Sequence, residues 1–352
     1  MVRARRPPRA FFAPTLEVIS MAAPNRDTLE PGTFIDCYRI VRTIGKGGFS
    51  LIYLAKDDET GDEAVIKEFM PKKIARRLEN KWVEATDENS RVSMIRSLRL
   101  FFQEAKAMAA LRHPNIVGVR GLYLAHGTGY LVMQHERGRN LAQFVHERGG
   151  ALSTTLLLRI FLPLLDALML IHARSMLHLD IKPGNIHLRH GHDPLLLDLG
   201  AVQVMSSGRS LGGQVITAGY SPPEQYSSGG NIGPWTDVYA VGASMRSCIE
   251  AKTPQPSPER VENDVMVPLA EVMKDRYPAG LLEAVDWSME LEPEKRPQDA
   301  GEFLTVLQSQ DYALPKSTLR ELLPSFQAGG DINSATTGLR IGAPSSTLTQ
   351  EL

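Results

Sequence analysis

The sequence predicts an α+β chain built as two unequal lobes, and three observations lead there. Its 352 residues are 43% hydrophobic and 22% charged, a globular balance that allows two ordinary domains or one large two-lobed one. From Tyr38 to His135 short apolar segments alternate with Gly-rich and polar turns, as strands do; beyond Arg139 the apolar positions recur mainly at helical spacing. Between His178 and Gln225 the periodicity gives way to a loop-rich centre that gathers polar residues. Strands first, helices later and polar chemistry in the loops between them define the class.

Taken in order, Tyr38–Ile44 alternates as a strand, Ser50–Ala55 follows across a Gly-rich turn, and Glu63–Phe69 follows a second turn at Thr60–Gly61–Asp62. A helix is expected from Ser97 to Arg112, because Leu98, Phe101, Phe102, Ala105, Met108, Ala109 and Leu111 fall at helix spacing, and His113–Pro114 stops it. Ile116–Leu124 and Gly129–Met133 read as two further strands about a Gly–Thr–Gly turn. The most apolar stretch, Leu156–Ile171, carries Arg159 and Asp166 on one helix face, with Pro163 between them. Each charge would cost about 2.5–3.5 kcal/mol at a bilayer centre, so a buried helix with one polar stripe is expected and not a membrane span. No other stretch comes closer to the roughly 20 apolar residues that a span needs.

The ends differ from the body. Residues 1–37 form an extension, Pro- and Arg-rich at its start (Arg3, Arg5, Arg6, Arg9) and expected to be largely disordered, with Met21 as an alternative start. Residues 313–352 are a Ser/Thr-rich tail, read first as a solvated end and alternatively as an autophosphorylation target or a pseudosubstrate; its one amphipathic piece, Leu319–Leu322–Leu323–Phe326, is a candidate for docking on the C-terminal lobe. The near-balance of 39 Lys+Arg against 40 Asp+Glu removes the electrostatic footprint of a dedicated nucleic-acid binder. Two cysteines far apart, Cys37 and Cys248, offer neither a disulfide framework nor a metal-ligand spacing, which points to a reduced, cytoplasmic compartment.

Four motifs carry chemistry. In Ile44-Gly45-Lys46-Gly47-Gly48-Phe49-Ser50 the glycines let the backbone approach a phosphate chain, and a strand follows where a dinucleotide fingerprint would require a helix. Alone, this motif is a weak signal, because a Gly-rich hairpin is more often just a turn. Lys67, ending Ala64-Val65-Ile66-Lys67, can reach α- and β-phosphates if a carboxylate holds its ammonium; Glu104 on the following helix is the candidate, against the plain alternative of two surface charges. His178-Leu-Asp180-Ile-Lys182-Pro-Gly-Asn185 is followed, after an apolar strand, by Asp198-Leu-Gly200. Asn185 and Asp198 supply the oxygen ligands that Mg2+ takes alongside substrate phosphates, while Asp180 is left to orient a hydroxyl.

These motifs, in this order, resemble a eukaryotic-type protein serine/threonine kinase of the bacterial kind, over Tyr38 to Tyr312. The resemblance implies a bilobal kinase fold: a small, mostly antiparallel β N-lobe with one helix over 38–136 and a larger helical C-lobe over 137–312. It implies transfer of the ATP γ-phosphate to Ser/Thr hydroxyls of protein substrates, dependent on Mg2+ with Mn2+ as a substitute. By the same resemblance Lys67, Glu104, Asp180 and Lys182 are catalytic. The glycine-rich residues 44–50, Lys67, Gln134 and Glu136 bind nucleotide with Met133 behind the base, and Asn185 and Asp198 hold the metal. It further implies a spine through Met108, Val119, His178 and Leu199, a buried Glu224–Arg296 pair in the Ser221-Pro-Pro-Glu224 segment, hydrogen bonds from the catalytic-loop backbone to Asp237, and a contact of Thr217 with Asp180.

One departure matters: Leu179 stands where an arginine is usual, removing the guanidinium that would pair with a phosphorylated activation loop. Activity is therefore expected to be constitutive, or controlled by something other than phosphates on Ser206, Ser207, Ser210 or Thr217, with any input arriving through a soluble partner. Two rival readings are a pseudokinase scaffold, which has no need of every motif residue, and a small-molecule kinase, which generally lacks the Pro-Pro-Glu platform.

Overall fold

The computed structural model describes residues 27–309 apart from 150, 198–202, 205–215 and 228, together with a strand at 340–341. The N-lobe is built from β1 (Phe34–Ile35), β2 (Tyr38–Lys46), β3 (Ser50–Asp57), β4 (Glu63–Phe69), a hairpin of β5 (Ala75–Arg77) and β6 (Val83–Ala85), helix α1 (Glu88–Ala109), β7 (Val119–Ala125) and β8 (Thr128–Gln134). The C-lobe follows with β9 (Arg139–Asn140), α2 (Leu141–Glu147), α3 (Thr154–Ala173), β10 (Met176–Leu177), β11 (Ile186–Leu188), β12 (Pro194–Leu196), β13 (Gln203–Val204), α4 (Pro234–Glu250), α5 (Ser257–Glu262), α6 (Leu269–Val272), α7 (Ala279–Ser288) and α8 (Ala300–Ser309). A last strand, β14 (Arg340–Ile341), lies parallel to the edge of β7, giving the sheet order β1-β2-β3-β4-β8-β7-β14.

Alternation along the strands separates two apolar layers. Leu51, Tyr53 and Ala55 of β3, Ala64 and Ile66 of β4, and Tyr130 and Val132 of β8 fill one face of the sheet. Leu131 and Met133, the alternate residues of β8, face the other way, and with Met108 of α1 they join the C-lobe core. That second layer runs unbroken from beneath the sheet into α3, α4, α7 and α8, so one body of apolar packing ties the lobes together.

Several expectations need adjusting. The expected helix begins at Glu88, well ahead of Ser97, because the Asp87 side chain caps it by accepting from the Ser90 N–H. The folded N-lobe begins before Tyr38: Leu29 and Ile35 are buried in its core, and β1 pairs with β2. The stretch between β4 and α1 folds as the β5–β6 hairpin, clasped by an Arg76–Glu84 ion pair at 2.7 Å. Residues 1–26, the spine residue Leu199 and the amphipathic piece of the tail at 319–326 lie outside the described residues.

The apolar stretch at Leu156 is helix α3, as expected. It is long and apolar enough to cross a membrane by composition, yet 61% of its most apolar window is buried inside the lobe. Arg159 faces solvent and Asp166 meets His113 Nε2 at 3.1 Å, which together form the polar stripe. Helices α4 and α7 approach so closely at Gly242 that a Cβ there would collide with Ser288.

Candidate active site

A cleft of about 420 Å³ opens between the lobes, within the range of about 300–1,000 Å³ usual for small-molecule sites. Its N-lobe wall is Ile44, Gly45, Ile52, Val65 and Lys67; Met133, Gln134, His135 and Glu136 close its back; Gly184, Asn185, His187 and Leu197 form the C-lobe side. Of the residues expected to bind nucleotide, Ile44, Gly45, Lys67, Gln134 and Glu136 line this cleft, while Lys46, Gly47, Gly48, Phe49 and Ser50 make the turn beyond it. Gln134 N donates to Gly118 O at 2.8 Å, which fixes the strand end that becomes the back of the cleft. His187 enters from β11; burial pushes its imidazole below the usual histidine range, and its Nε2 has no hydrogen-bond partner among the described residues.

Lys67 sits on β4 opposite Ile52 and Leu131, and Glu104 is on the last turns of α1.

The loop after β10 is held from below by a buried carboxylate. Asp237, near the start of α4, accepts from His178 N (2.8 Å) and Leu179 N (2.8 Å), and its Oδ2 lies 3.0 Å from His172 Nε2. Burial pushes the Asp237 carboxyl up, but the contacts with His172 and His178 outweigh it and hold the group below the usual carboxylate range. Leu179 adopts φ +60°, a left-handed conformation that costs a non-glycine residue about 1–2 kcal/mol. The Gln225 side chain fixes that turn from the other side, donating Nε2 to Leu179 O at 2.9 Å.

Above this turn four polar side chains converge. Lys182 Nζ donates to Asp180 Oδ1 (2.8 Å), Asp180 Oδ2 (2.9 Å) and Thr217 Oγ1 (3.0 Å). Thr217 Oγ1 donates to Asp180 Oδ1 at 2.7 Å. Asn185 Nδ2 donates to the Asp180 carbonyl and to Asp180 Oδ2, both at 2.8 Å. With both amide hydrogens committed, the Asn185 side-chain oxygen remains as its acceptor toward the cleft that Asn185 lines. Leu197 N donates to Asn185 O at 2.9 Å, so the chain leaves β12 beside Asn185; Asp198 lies outside the described residues.

Farther out, Arg296 donates to both oxygens of Glu224 (2.8 and 3.0 Å), and Thr236 Oγ1 donates to Glu224 Oε1 at 3.0 Å. Arg296 also stacks over the Tyr239 ring. This pair and the Asp237 and Thr217 contacts fall where the resemblance implies them.

The sequence profile of the protein kinase domain matches residues 38–312. The chain belongs to the protein kinase family. It is 29% identical over 301 residues to serine/threonine-protein kinase D of Synechocystis sp., covering 81% of this chain and 55% of that protein. The probable serine/threonine-protein kinase PknB of Lactococcus lactis is 27% identical over 223 residues, 63% of this chain and 32% of its own. Among solved structures, the PpkA-294 apo form matches the kinase fold with a TM-score of 0.71 at 31% identity, covering 80% of this chain and 99% of that one. The chain spans about a third to about half the length of these two curated relatives.

Some residues that build the kinase cleft carry a readable signal and others do not. Val65 precedes Lys67 by two on the same strand face, and Ile52 pairs with Lys67 across the sheet, so period-two alternation points to both. Val117, His187 and Leu197 come from segments brought together only by tertiary packing, and no local pattern marks them as cleft residues.

Proposed function

We propose that this kinase domain transfers the γ-phosphate of ATP to serine or threonine hydroxyls of protein substrates. The observation that carries the reading is the Asp180 cluster: one carboxylate oriented by Lys182, Thr217 and Asn185, beside a cleft of the right size for a nucleotide. Asp180 orients the incoming hydroxyl and accepts its proton as the phosphoryl group leaves. Lys182 lies against that carboxylate and offsets negative charge on the transferring group; a lysine at this spacing favours Ser/Thr over tyrosine acceptors. Lys67, positioned by Glu104, holds the α- and β-phosphates beneath the loop at residues 44–50, and the backbone of Gln134 and Glu136 reads the adenine edge.

The donor set fits a hard divalent cation: Asn185 contributes an amide oxygen that has no hydrogen-bond partner among the described residues, and the carboxylate of Asp198 follows one residue after Leu197 in the chain. When bound, Mg2+ would neutralise charge on the phosphate oxygens. Its expected protein ligands are Asn185 and Asp198. Neither Cys37 nor Cys248 forms a disulfide among the described residues, which suits a reducing, cytoplasmic setting, with protein substrates and a soluble regulator as partners.

The test is transfer of labelled phosphate from ATP, with Mg2+, to a panel of Ser- and Thr-containing peptides. Asp180→Asn should slow transfer by about 100- to 10,000-fold while nucleotide affinity stays within about twofold. ATP binding without transfer to any acceptor would overturn the reading in favour of a nucleotide-binding scaffold.

A further inference from the structure

The turn at residues 47–50 is stitched to the segment that follows β4. Gly47 N donates to Ser50 O at 2.8 Å and closes the turn. On its outer side, Met70 N donates to Phe49 O (2.8 Å) and Lys72 N donates to Gly48 O (3.0 Å). These two bonds continue the β3–β4 ladder past its last pair, Ser50↔Phe69. The donor segment is itself firmly seated: Met70 and Ala75 are buried, Ile74 N and Ala75 N both donate to Pro71 O, and the chain continues into the β5–β6 hairpin.

We infer that residues 70–72 position the peptide units of the phosphate-binding turn. Across a planar trans peptide the carbonyl and the next N–H point in opposite directions, and no peptide bond among the described residues is cis. Pinning Gly48 O and Phe49 O outward therefore directs the N–H groups of Phe49 and Ser50 toward the inner side of the turn. Two aligned N–H groups there form a concavity suited to an anionic phosphate oxygen. The Lys72 backbone N–H acts through Gly48 and is a positioning group; its exposed side chain takes no part. The inference rests on the kinase reading of the cleft and adds the element that sets its phosphate end.

Lys72 is the second residue of the turn that Pro71 opens, a place where proline is favoured, so Lys72→Pro removes the N–H while keeping the local conformation. Lys72→Ala keeps the N–H and removes the side chain. With the full chain, ATP and adenosine affinities are measured by calorimetry for wild type and both variants, alongside melting temperature. Lys72→Pro should weaken ATP about tenfold, the scale of one lost hydrogen bond, and leave adenosine unchanged, whereas Lys72→Ala should match wild type for both. Unchanged ATP affinity in Lys72→Pro, or equal weakening of ATP and adenosine, overturns the inference. Should Lys72→Pro fail to fold, hydrogen exchange in the wild-type chain decides: the amides of Met70 and Lys72 should exchange at least about 100-fold more slowly than in an unstructured peptide, and unprotected amides overturn it. A wild-type chain that binds adenosine and ATP equally, or neither, would instead overturn the kinase reading and this inference with it.

Discussion

At the scale of single residues, the hydroxyl of Thr217 is shared between the proposed base and its lysine, donating to Asp180 at 2.7 Å and accepting from Lys182 at 3.0 Å. A phosphate there would add a charge of about −1.5 to −2 against a carboxylate that already occupies the available ammonium. Thr217 is thus a place where a negative group should inhibit. Thr217→Glu is expected to lower the transfer rate about 100-fold through like-charge repulsion and displacement of Asp180, with nucleotide affinity unchanged, while Thr217→Ser stays within about threefold. Steady-state rates on a fixed peptide check both, and a fully active Thr217→Glu would contradict the shared-hydroxyl account. The sequence marks Asp180, Lys182 and Asn185 by spacing, because they lie within one short loop. Thr217 and Asp237 are legible only through the family resemblance. His187 and Gln225 are not legible at all, because their roles depend on which distant backbone they meet.

At the scale of elements, the β5–β6 hairpin shows why part of the fold escapes pattern reading. Its strands, Ala-Arg-Arg and Val-Glu-Ala, are too short and too charged to alternate visibly, and they are seated by two buried apolar residues, Ala75 and Val83, together with a buried ion pair. Glu68, fully buried on β4, accepts from Arg77 Nη2 (2.5 Å), Tyr53 Oη (2.8 Å) and Tyr130 Oη (2.6 Å). Arg77 in turn donates to Asp27 O and Lys81 O, tying the N-terminal segment and the hairpin to the sheet. Burial lowers the Arg77 pKa, but contact with Glu68 more than reverses this and raises it, keeping the guanidinium charged. Removing one partner of such a pair costs about 3–5 kcal/mol, which for a domain of this size is a fall in Tm on the order of 10 °C. Arg77→Met should show that fall in thermal unfolding, and adding Glu68→Gln should recover much of it; a single variant as stable as wild type would show the pair to be dispensable. Helix α1 escapes in a related way. Its first two turns, Glu88 to Arg96, carry few apolar residues, so only the capping aspartate at Asp87 announces where it begins.

At the scale of the whole molecule, the question is what holds the catalytic loop in register between two lobes. The lobes share one apolar layer, so the loop is suspended between bodies that are already packed together. Leu179 cannot recruit a phosphate, yet the turn it occupies is fixed on two sides: its N–H bonds to buried Asp237 and its carbonyl accepts from Gln225. Gln225 directly follows Glu224, which Arg296 and Thr236 anchor to the C-lobe. The substrate-side segment and the catalytic loop are therefore coupled by neutral and charged hydrogen bonds that are present without any modification. That arrangement predicts constitutive competence. Phosphatase-treated protein should keep its transfer rate within about twofold, whereas Gln225→Ala, which frees the strained Leu179 carbonyl without touching the cleft, should lower kcat about tenfold and leave KM for ATP unchanged. A rate that collapses on dephosphorylation would mean that a phosphate, and not the Gln225–Leu179–Asp237 brace, sets the loop.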